Sequence, residues 1–377
     1  MKMTTEVPEG VATPDLVVTS LGVLTSFDGV PDDRTTQVVF DNLDLQRAVQ
    51  AYLSTIQVSS LAAMRKGYLG FGPTNTTVMQ FEELMDSKAL WLTPNTVSVY
   101  QACWLELGDE PMVIETPPSV LGFIDDAWFQ YVVDFGNAGP DRGQGGKFLI
   151  LPPGYDGEVP DGYHVARSQT HGNWVAWRGF QVDGSTGPAI DATKEQFRIY
   201  PLSQKDNPPK MNFIQGRYDF LMDGARLLDS RIYMHFYATG ITPAMAIRNV
   251  GKGSQYAIAY LDSEKRQLDG GKTYRIHLPP NVPAKDFWSF TLYDNQTRSM
   301  LQTDQRFPGL DNNQEGLKQN PDGSYDIYFG PEPPTGWENN WLQTVPGKGW
   351  NTIFRLYGPL ESFYDQTWKP GDPELVE

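Results

Sequence analysis

The sequence predicts a mainly β protein with some α-helix, built from two antiparallel β domains of sandwich or jelly-roll type. Short runs in which apolar and polar residues alternate recur along most of the chain. The 36 glycines and 29 prolines punctuate these runs at close intervals. The clearest run covers residues 287–293, where Trp288, Phe290 and Leu292 share one side of an extended chain. Residues 352–357 form a second run of the same quality, so we place both at the centre of a β domain.

The order of these runs divides the chain into four parts. Residues 1–90 hold a strand and a helical segment that we expect to pack on the first β domain. Residues 91–205 contain seven candidate strands and form the first antiparallel β domain. Residues 206–240 comprise a linker with Asn207-Pro208-Pro209 and one long linking helix over 218–237. Residues 241–377 form the C-terminal antiparallel β domain.

The helical part of residues 1–90 is predicted from apolar spacing. An apolar stripe predicts a helix over 35–55, Gly67 ends a shorter helix over 59–66, and a third short helix covers 77–86. A strand over 17–27 precedes them.

Charge and composition narrow the choice of partners. The net charge of −16 argues against nucleic acid and against an anionic membrane surface, because both require clustered Lys and Arg. No apolar run reaches the roughly 18 residues of a membrane span, and the first residues lack the apolar core of a signal peptide. The single Cys103 excludes an internal disulfide framework. We therefore expect a soluble protein, either cytoplasmic or periplasmic after processing.

Several motifs resemble a pair of known families. Gly240-Ile-Thr-Pro-Ala-Met245, Asp286-Phe-Trp-Ser-Phe-Thr-Leu-Tyr-Asp294 and Arg355-Leu-Tyr-Gly-Pro359 resemble the C-terminal domain of unknown function 1214. Asn320-Pro-Asp-Gly-Ser324 and Asn340-Trp-Leu342 fall in the matching order. Pro94-Asn95 with Tyr100, Gly154-Tyr-Asp-Gly157 and the segment 174–180 with Arg178 resemble its usual N-terminal companion, domain of unknown function 1254.

The resemblance implies two mainly antiparallel β domains of a mostly bacterial family and no established reaction. Two departures stand out. Relatives commonly carry an Asp after the Pro-Asn pair, where this chain has Val97 and Ser98. Relatives also carry a long helical segment between the domains. In this chain that segment is shortened or missing, so we expect the domain surface that it covers in relatives to be exposed here.

Catalytic motifs are weak. No Gly-x-Ser-x-Gly elbow or complete phosphate loop is present, and no motif indicates a cofactor. His164 and His171 lie seven residues apart, but no third ligand is fixed by spacing, so we predict no metal site. The acids Glu106, Glu115, Asp125, Asp126 and Asp134 could supply a glycosidase pair, although a chain with 46 acids always offers pairs.

Two arginines are the most informative polar residues. Arg178 and Arg355 each interrupt an apolar strand, so an inward-pointing side chain needs a carboxylate, a set of carbonyls or an anionic ligand. Two roles stay open for these arginines: each could act as a structural pin that links neighbouring strands by hydrogen bonds, or it could bind an anionic ligand.

Two functional hypotheses follow. The first is a protein that binds, and possibly hydrolyses, a small polar or carbohydrate-like molecule at an inter-domain cleft. The residues predicted to line that cleft are Asn95, Tyr100, His171, Trp174, Arg178, Trp288 and Trp341. The second is a structural or assembly protein whose aromatic loops form the contacts of a homo-oligomer, without catalysis.

Overall fold

The computed structural model describes residues 10–11, 14–89, 91–216 and 242–376. Within these ranges the protein is mainly β, with antiparallel and mixed sheets and an N-terminal helix, so the predicted fold class is confirmed. The helix predicted over 218–237 lies outside the described residues. The chain divides into two compact units, Met1–Ile56 and Gln57–Glu377.

The first unit contains a three-stranded antiparallel sheet and the start of a long helix. Its strands are β1 (Leu16–Thr19), β2 (Gly22–Phe27) and β3 (Val30–Pro31), and the helix α1 spans Asp33–Leu69. Asp32 caps α1, because its Oδ1 accepts a hydrogen bond from the Thr35 amide at 2.6 Å. The two helices predicted over 35–55 and 59–66 are one helix, since nothing between them breaks it and it passes through Gly67.

The first β domain consists of ten strands and a short helix. These are β4 (Thr77–Gln80), β5 (Ser98–Glu106), β6 (Met112–Thr116), β7 (Val120–Asp126), β8 (Tyr131–Gly136), β9 (Gly146–Leu151), β10 (His164–Arg167), β11 (Gly172–Phe180), α2 (Gly187–Gln196), β12 (Arg198–Pro201) and β13 (Asn212–Gln215).

Two sheets of this domain pack face to face. One has the order β13-β4-β5-β11-β7-β8 and the other β10-β9-β6-β12. Most neighbours are antiparallel, but β10 runs parallel to β9 and β13 runs parallel to β4. The core between the sheets includes Cys103, Ile114, Phe148, Val175 and Trp177. Cys103 is buried there, as its apolar neighbours in the sequence suggest.

The C-terminal β domain has the same two-layer plan. Its elements are α3 (Pro243–Ala246), β14 (Ser254–Ala259), β15 (Thr273–Leu278), β16 (Ala284–Asp294), β17 (Gly309–Asp311), β18 (Tyr325–Gly330), β19 (Trp341–Gln343), β20 (Trp350–Pro359), α4 (Glu361–Tyr364) and β21 (Glu374–Val376). The sheets have the orders β14-β20-β16-β17 and β19-β18-β15-β21, with β18 and β19 parallel. Trp288, Phe290 and Phe354 fill the core between them.

Two predictions of secondary structure are wrong, and two elements were not predicted. The helix predicted over 77–86 is strand β4 followed by an irregular segment, because Val78 and Met79 pack on opposite faces of the sheet. The sequence also predicts a strand over 299–303, but these residues form only a bridge from Met300 to Tyr293. Strand β7 and helix α2 were not predicted.

A third layer of apolar contacts joins the two β domains. The face of the six-stranded sheet that points away from its own sandwich contributes Met79, Ala102, Trp104 and Trp174. The sheet β14-β20-β16-β17 contributes Tyr293 and Ile353, and the end of α1 adds Leu61, Met64 and Tyr68. We call this layer the inter-domain layer. Within the described part of the chain, no helix is long and apolar enough to cross a membrane.

Candidate functional site

Strand alternation places two arginines in the inter-domain layer. On β11, Val175 and Trp177 point into the sandwich, so Trp174, Ala176 and Arg178 point to the other face. On β20, Phe354 and Leu356 belong to the C-terminal core, so Ile353, Arg355 and Tyr357 face the first domain. The two arginines therefore enter the inter-domain layer from opposite domains.

Arg355 is fully buried and forms hydrogen bonds to both domains. Its Nη1 donates to Thr291 Oγ1 at 3.1 Å, and its Nη2 donates to the Tyr293 hydroxyl at 2.6 Å. Nη2 also donates to the carbonyl oxygen of Thr93 at 2.9 Å, which lies in the loop ahead of β5. The pin between strands that the sequence suggested is therefore present at Arg355, and it reaches across the domains.

Arg178 is half-buried and far less constrained. Its Nη2 lies 3.9 Å from Met245 Sδ, its guanidinium carbon lies 6.0 Å from the centre of the Tyr357 ring, and the Tyr256 hydroxyl is within hydrogen-bonding reach. Burial opposes the charge, but the hydroxyls of Tyr256, Tyr357 and Tyr100 raise the pKa of Arg178 above its ordinary value. Among the described residues, neither Arg178 nor Arg355 forms an ion pair with a carboxylate.

Tyrosines connect the two arginines. The guanidinium carbon of Arg355 lies 5.8 Å from the Tyr256 ring centre and 5.6 Å from that of Tyr293. Burial raises the pKa of Tyr357 above its ordinary value, although Arg178 and Arg355 act in the opposite direction. Burial also raises the pKa of Tyr293, to about 12. These phenols therefore stay neutral near pH 7 and provide no negative charge to balance the two cations.

Asn95 holds the edge of this cluster. Its Oδ1 accepts hydrogen bonds from the Val97 and Ser98 amides, both at 3.0 Å, and from Ser98 Oγ at 2.8 Å. Its Nδ2 donates to the Tyr357 hydroxyl at 3.1 Å, across the domains. The Asn95 amide nitrogen donates to the Tyr100 hydroxyl at 2.9 Å. Asn95 thus orients both Tyr100 and Tyr357.

Two buried carboxyl groups lie on the same face of the six-stranded sheet. Asp134 Oδ2 accepts a hydrogen bond from the Ala244 amide at 3.3 Å, whereas Asp134 Oδ1 and both oxygens of Asp125 have no hydrogen-bond partner among the described residues. Burial raises the pKa of Asp134 to about 7. Burial, followed by the charges of Asp134 and Asp126, raises the pKa of Asp125 well above its ordinary value.

Comparison with known families gives the chain its place. Residues 74–201 match the family described as Protein of unknown function (DUF1254), and residues 253–361 match Protein of unknown function (DUF1214). The chain belongs to both families. The resemblance seen in the motifs is thereby confirmed. Arg178 lies in the DUF1254 domain and Arg355 in the DUF1214 domain.

Comparison with solved structures finds one with the same fold and a second that is a weaker match. The VPA0106 protein from Vibrio parahaemolyticus is 18% identical, with a TM-score of 0.54 over 87% of this chain and 98% of that chain. An uncharacterized protein from Burkholderia cenocepacia is 13% identical, with a TM-score of 0.49 over 88% of this chain and 89% of that chain. A search of curated proteins finds no match.

The DUF1254–DUF1214 layer brings together only some of the predicted lining residues. Asn95, Tyr100 and Arg178 lie in one cluster. Trp174 shares their layer, but its Nε1 donates to the Tyr68 hydroxyl at 3.0 Å and its ring stacks on Phe129.

Three predicted residues lie elsewhere. His171 precedes β11, where its Nδ1 lies 3.0 Å from the Leu107 carbonyl oxygen. Trp288 is corrected to a core residue, because it faces the interior of the C-terminal sandwich and contacts Phe354. Trp341 lies on β19, in the other C-terminal sheet, and its Nε1 donates to the Gly330 carbonyl at 2.9 Å.

Sequence reasoning did not select the tyrosines of the C-terminal domain. Tyr293 and Tyr357 occupy the same strand face as Arg355, at even spacing from it or from its cross-strand neighbours. Alternation places each of them on the opposite side of its strand from the large core residues, but it does not show which of the two buried faces lies near Arg178. Among the described residues, no group of three His, Cys, Asp or Glu side chains could hold a metal ion.

Proposed function

We propose that the protein binds a small anionic ligand, with a carboxylate or phosphate group, at Arg178 between its DUF1254 and DUF1214 domains. The observation that carries the proposal is the guanidinium of Arg178, which has a sulfur and tyrosine hydroxyls around it and no carboxylate partner among the described residues. Sugar acids belong to this ligand class, which narrows the polar or carbohydrate-like ligand expected from the sequence.

Electrostatics favour an anion at this position. Burial of a charge is costly unless an opposite charge or hydrogen bonds compensate it. Arg355 already donates hydrogen bonds to Thr291, Thr93 and Tyr293, which fix its position. It therefore adds positive charge to the site without itself binding the ligand. Arg178 keeps donors for a ligand, and its planar fork matches a carboxylate in bidentate geometry.

The surroundings of Arg178 also provide apolar and hydroxyl contacts. Tyr357 stacks on Phe287 with ring centres 4.1 Å apart, and Phe180 meets the edge of both rings. Ligand sites are typically lined by aromatic and apolar side chains, with a few polar groups that fix the orientation of the ligand.

The experiment is a thermal-shift and calorimetric screen of acetate, succinate, citrate, glucuronate and inorganic phosphate. Anion binding should raise the melting temperature of the native protein. Arg178→Met should weaken that binding roughly 100-fold, and Arg178→Lys should restore only part of it because the ammonium group lacks the fork. Arg47→Met, at an exposed helical position, serves as the matched control. An Arg178→Met protein with an unchanged anion response would contradict the proposal.

A hydrolytic function is the second candidate, and the pair Asp125 and Asp134 favours it. A carboxyl group that stays protonated near pH 7 can act as a general acid. If it does so here, hydrolysis of chromogenic glycosides or esters should decline as pH rises through the pKa of Asp134, and Asp134→Asn should abolish it. A rate that survives in Asp134→Asn would rule out this role.

A further inference from the structure

The face of the six-stranded sheet that carries Arg178 also carries carboxyl groups without partners. Asp125 is fully buried, and within the described part of the chain neither of its carboxyl oxygens has a hydrogen-bond partner. Asp134 is 4% exposed, and its Oδ1 has no partner there either. Trp174 and Phe123, which lie opposite Asp125 and Asp134 on neighbouring strands, belong to the inter-domain layer. The two carboxyl groups therefore point into the same layer as Arg178.

Strand register keeps the opposite charges apart. Arg178 lies opposite Leu121 of β7, and Leu121 lies opposite Gly136 of β8. Asp134 is two residues from Gly136, so its Cα lies about 12 Å from that of Arg178 at ordinary strand and residue spacings. The two side chains thus share a face without being direct neighbours.

One short segment of the C-terminal domain contacts both charged groups. Arg178 Nη2 lies 3.9 Å from Met245 Sδ, and Asp134 Oδ2 accepts a hydrogen bond from the amide of the preceding residue, Ala244, at 3.3 Å. No ion pair joins Arg178 to Asp134, whose Oδ1 keeps no partner among the described residues. The guanidinium and the carboxyl group are therefore near enough for one small molecule to contact both.

Opposite charges on one buried face favour a ligand that carries both signs. Burial of either charge is costly without a counter-charge or hydrogen bonds. An ammonium group has three N–H donors, and Asp125 and Asp134 together leave three oxygens without a donor among the described residues. The Trp174 ring, which lies opposite Asp125 and stacks on Phe129, suits an organic ammonium group. A metal ion suits the site less, because no group of three His, Cys, Asp or Glu side chains is present in the described ranges.

We infer that the anion bound at Arg178 is a zwitterion, an amino acid whose carboxylate pairs with Arg178 and whose ammonium group lies against Asp125 and Asp134. The inference rests on the proposed anion site at Arg178 and names the class of its ligand. Because the opposite charges lie two strands apart, we expect several methylene groups between the charged ends of this amino acid, as in an ω-amino acid.

The test is calorimetry on the full-length protein with ligands matched in shape. Replacement of the terminal methyl group of pentanoate or heptanoate by ammonium gives 4-aminobutyrate or 6-aminohexanoate. The better of these two amino acids should bind roughly 10–100-fold more tightly than its matched acid, because it alone places a charge against the carboxyl pair. Glycine should show no such gain over propionate, because it is too short to reach both ends.

Variants separate the two ends of the site. Asp134→Asn and Asp125→Asn should each remove most of the preference for the amino acid and leave binding of the matched acid in place. In Asp134→Asn the amide oxygen can still accept the hydrogen bond of the Ala244 amide, so the fold is retained. Asp183→Asn makes the same change of charge in an exposed turn of the same domain and should keep the native preference. Arg178→Met should weaken binding of both ligands.

The outcomes distinguish this inference from the anion site on which it rests. If the native protein binds the amino acids and their matched acids equally, the zwitterion is overturned and the anion site stands. If the preference survives in both Asp134→Asn and Asp125→Asn, the ammonium group lies elsewhere and the inference is overturned. If pentylamine binds as tightly as the amino acids and Arg178→Met does not affect them, the site is a cation site without Arg178. If neither acids nor amino acids bind, the anion site itself fails, and the inference fails with it.

Discussion

Replacement of Arg355 by Met is the sharpest test of the inter-domain layer. The substitution keeps most of the side-chain volume but removes all three hydrogen bonds of the guanidinium. The Thr93 carbonyl then loses a charged donor inside a buried layer, and the Tyr293 hydroxyl loses another. Each buried acceptor left without a donor costs about 1–3 kcal/mol.

Loss of the buried cation offsets part of this cost, because the guanidinium no longer has to be desolvated. We therefore expect Arg355→Met to lower the free energy of unfolding by about 3 kcal/mol. Urea unfolding followed by tryptophan fluorescence measures it, and the midpoint should fall by about 1 M, since a domain of this size loses about 3 kcal/mol of stability per molar urea.

The matched control is Arg248→Met. Arg248 forms an exposed ion pair with Glu361, and surface pairs of this kind contribute little to stability. Its urea midpoint should stay at the native value. If Arg355→Met unfolds at the same urea concentration as the native chain and Arg248→Met, the hydrogen bonds of Arg355 to the two domains do not contribute to the free energy of unfolding, and the reasoning fails.

Three further predictions concern the same layer and the sandwich beneath it. The pKa of Asp134 is raised from 3.8 to about 7 in the folded protein, so between these two pH values the folded state holds a proton that the unfolded chain has lost. The free energy of unfolding should therefore fall as pH rises from about 4 to about 7. In urea titrations at several pH values, Asp134→Asn should remove most of this dependence. Asn95→Leu removes four side-chain hydrogen bonds and should lower the free energy of unfolding by about 2–4 kcal/mol. Tyr357→Phe removes one of them and should lower it by about 1 kcal/mol. Equal urea midpoints for the two variants would contradict the role of Asn95. Gly122→Ala places a Cβ 2.3 Å from the Phe135 ring and should lower the melting temperature by several degrees, while Gly108→Ala meets no atom within 4 Å and should melt like the native protein.

Alternation in the sequence was sufficient to predict the strands that carry the cluster. The predicted run 352–357 lies within β20, and the run 287–293 lies within β16. In both strands the large apolar residues face the sandwich core, as period-two patterning requires.

The choice between the two faces of those strands could not be made from the sequence. Both faces are buried in this fold, one inside the C-terminal sandwich and one in the inter-domain layer, so burial alone does not identify the face near Arg178. Trp288 was predicted to line the cleft and is a core residue, whereas Tyr357 faces the inter-domain layer with its ring centre 6.0 Å from the guanidinium carbon of Arg178. Only the pairing of strands far apart in sequence resolves this.

Local pattern misled the prediction for residues 77–86 for a related reason. Phe81 and Met85 are four residues apart, which matches one helical turn, yet both fill gaps in the inter-domain layer from an irregular segment. Tertiary packing there overrides the local preference for helix.

The parallel pairing of β13 with β4 has a consequence for how the chain reaches its native state. Ile214 lies opposite Met79, so this sheet margin is completed only when a segment some 130 residues downstream arrives. Because the ribosome adds about 5–20 residues per second, β4 is made several seconds or longer before β13. During that time the backbone amides and carbonyls on its outer edge have no strand partner. That interval is when a nascent chain is most prone to cross-strand association with its neighbours, and truncations that stop before Asn212 should accumulate as aggregates rather than as an independent amino-terminal domain.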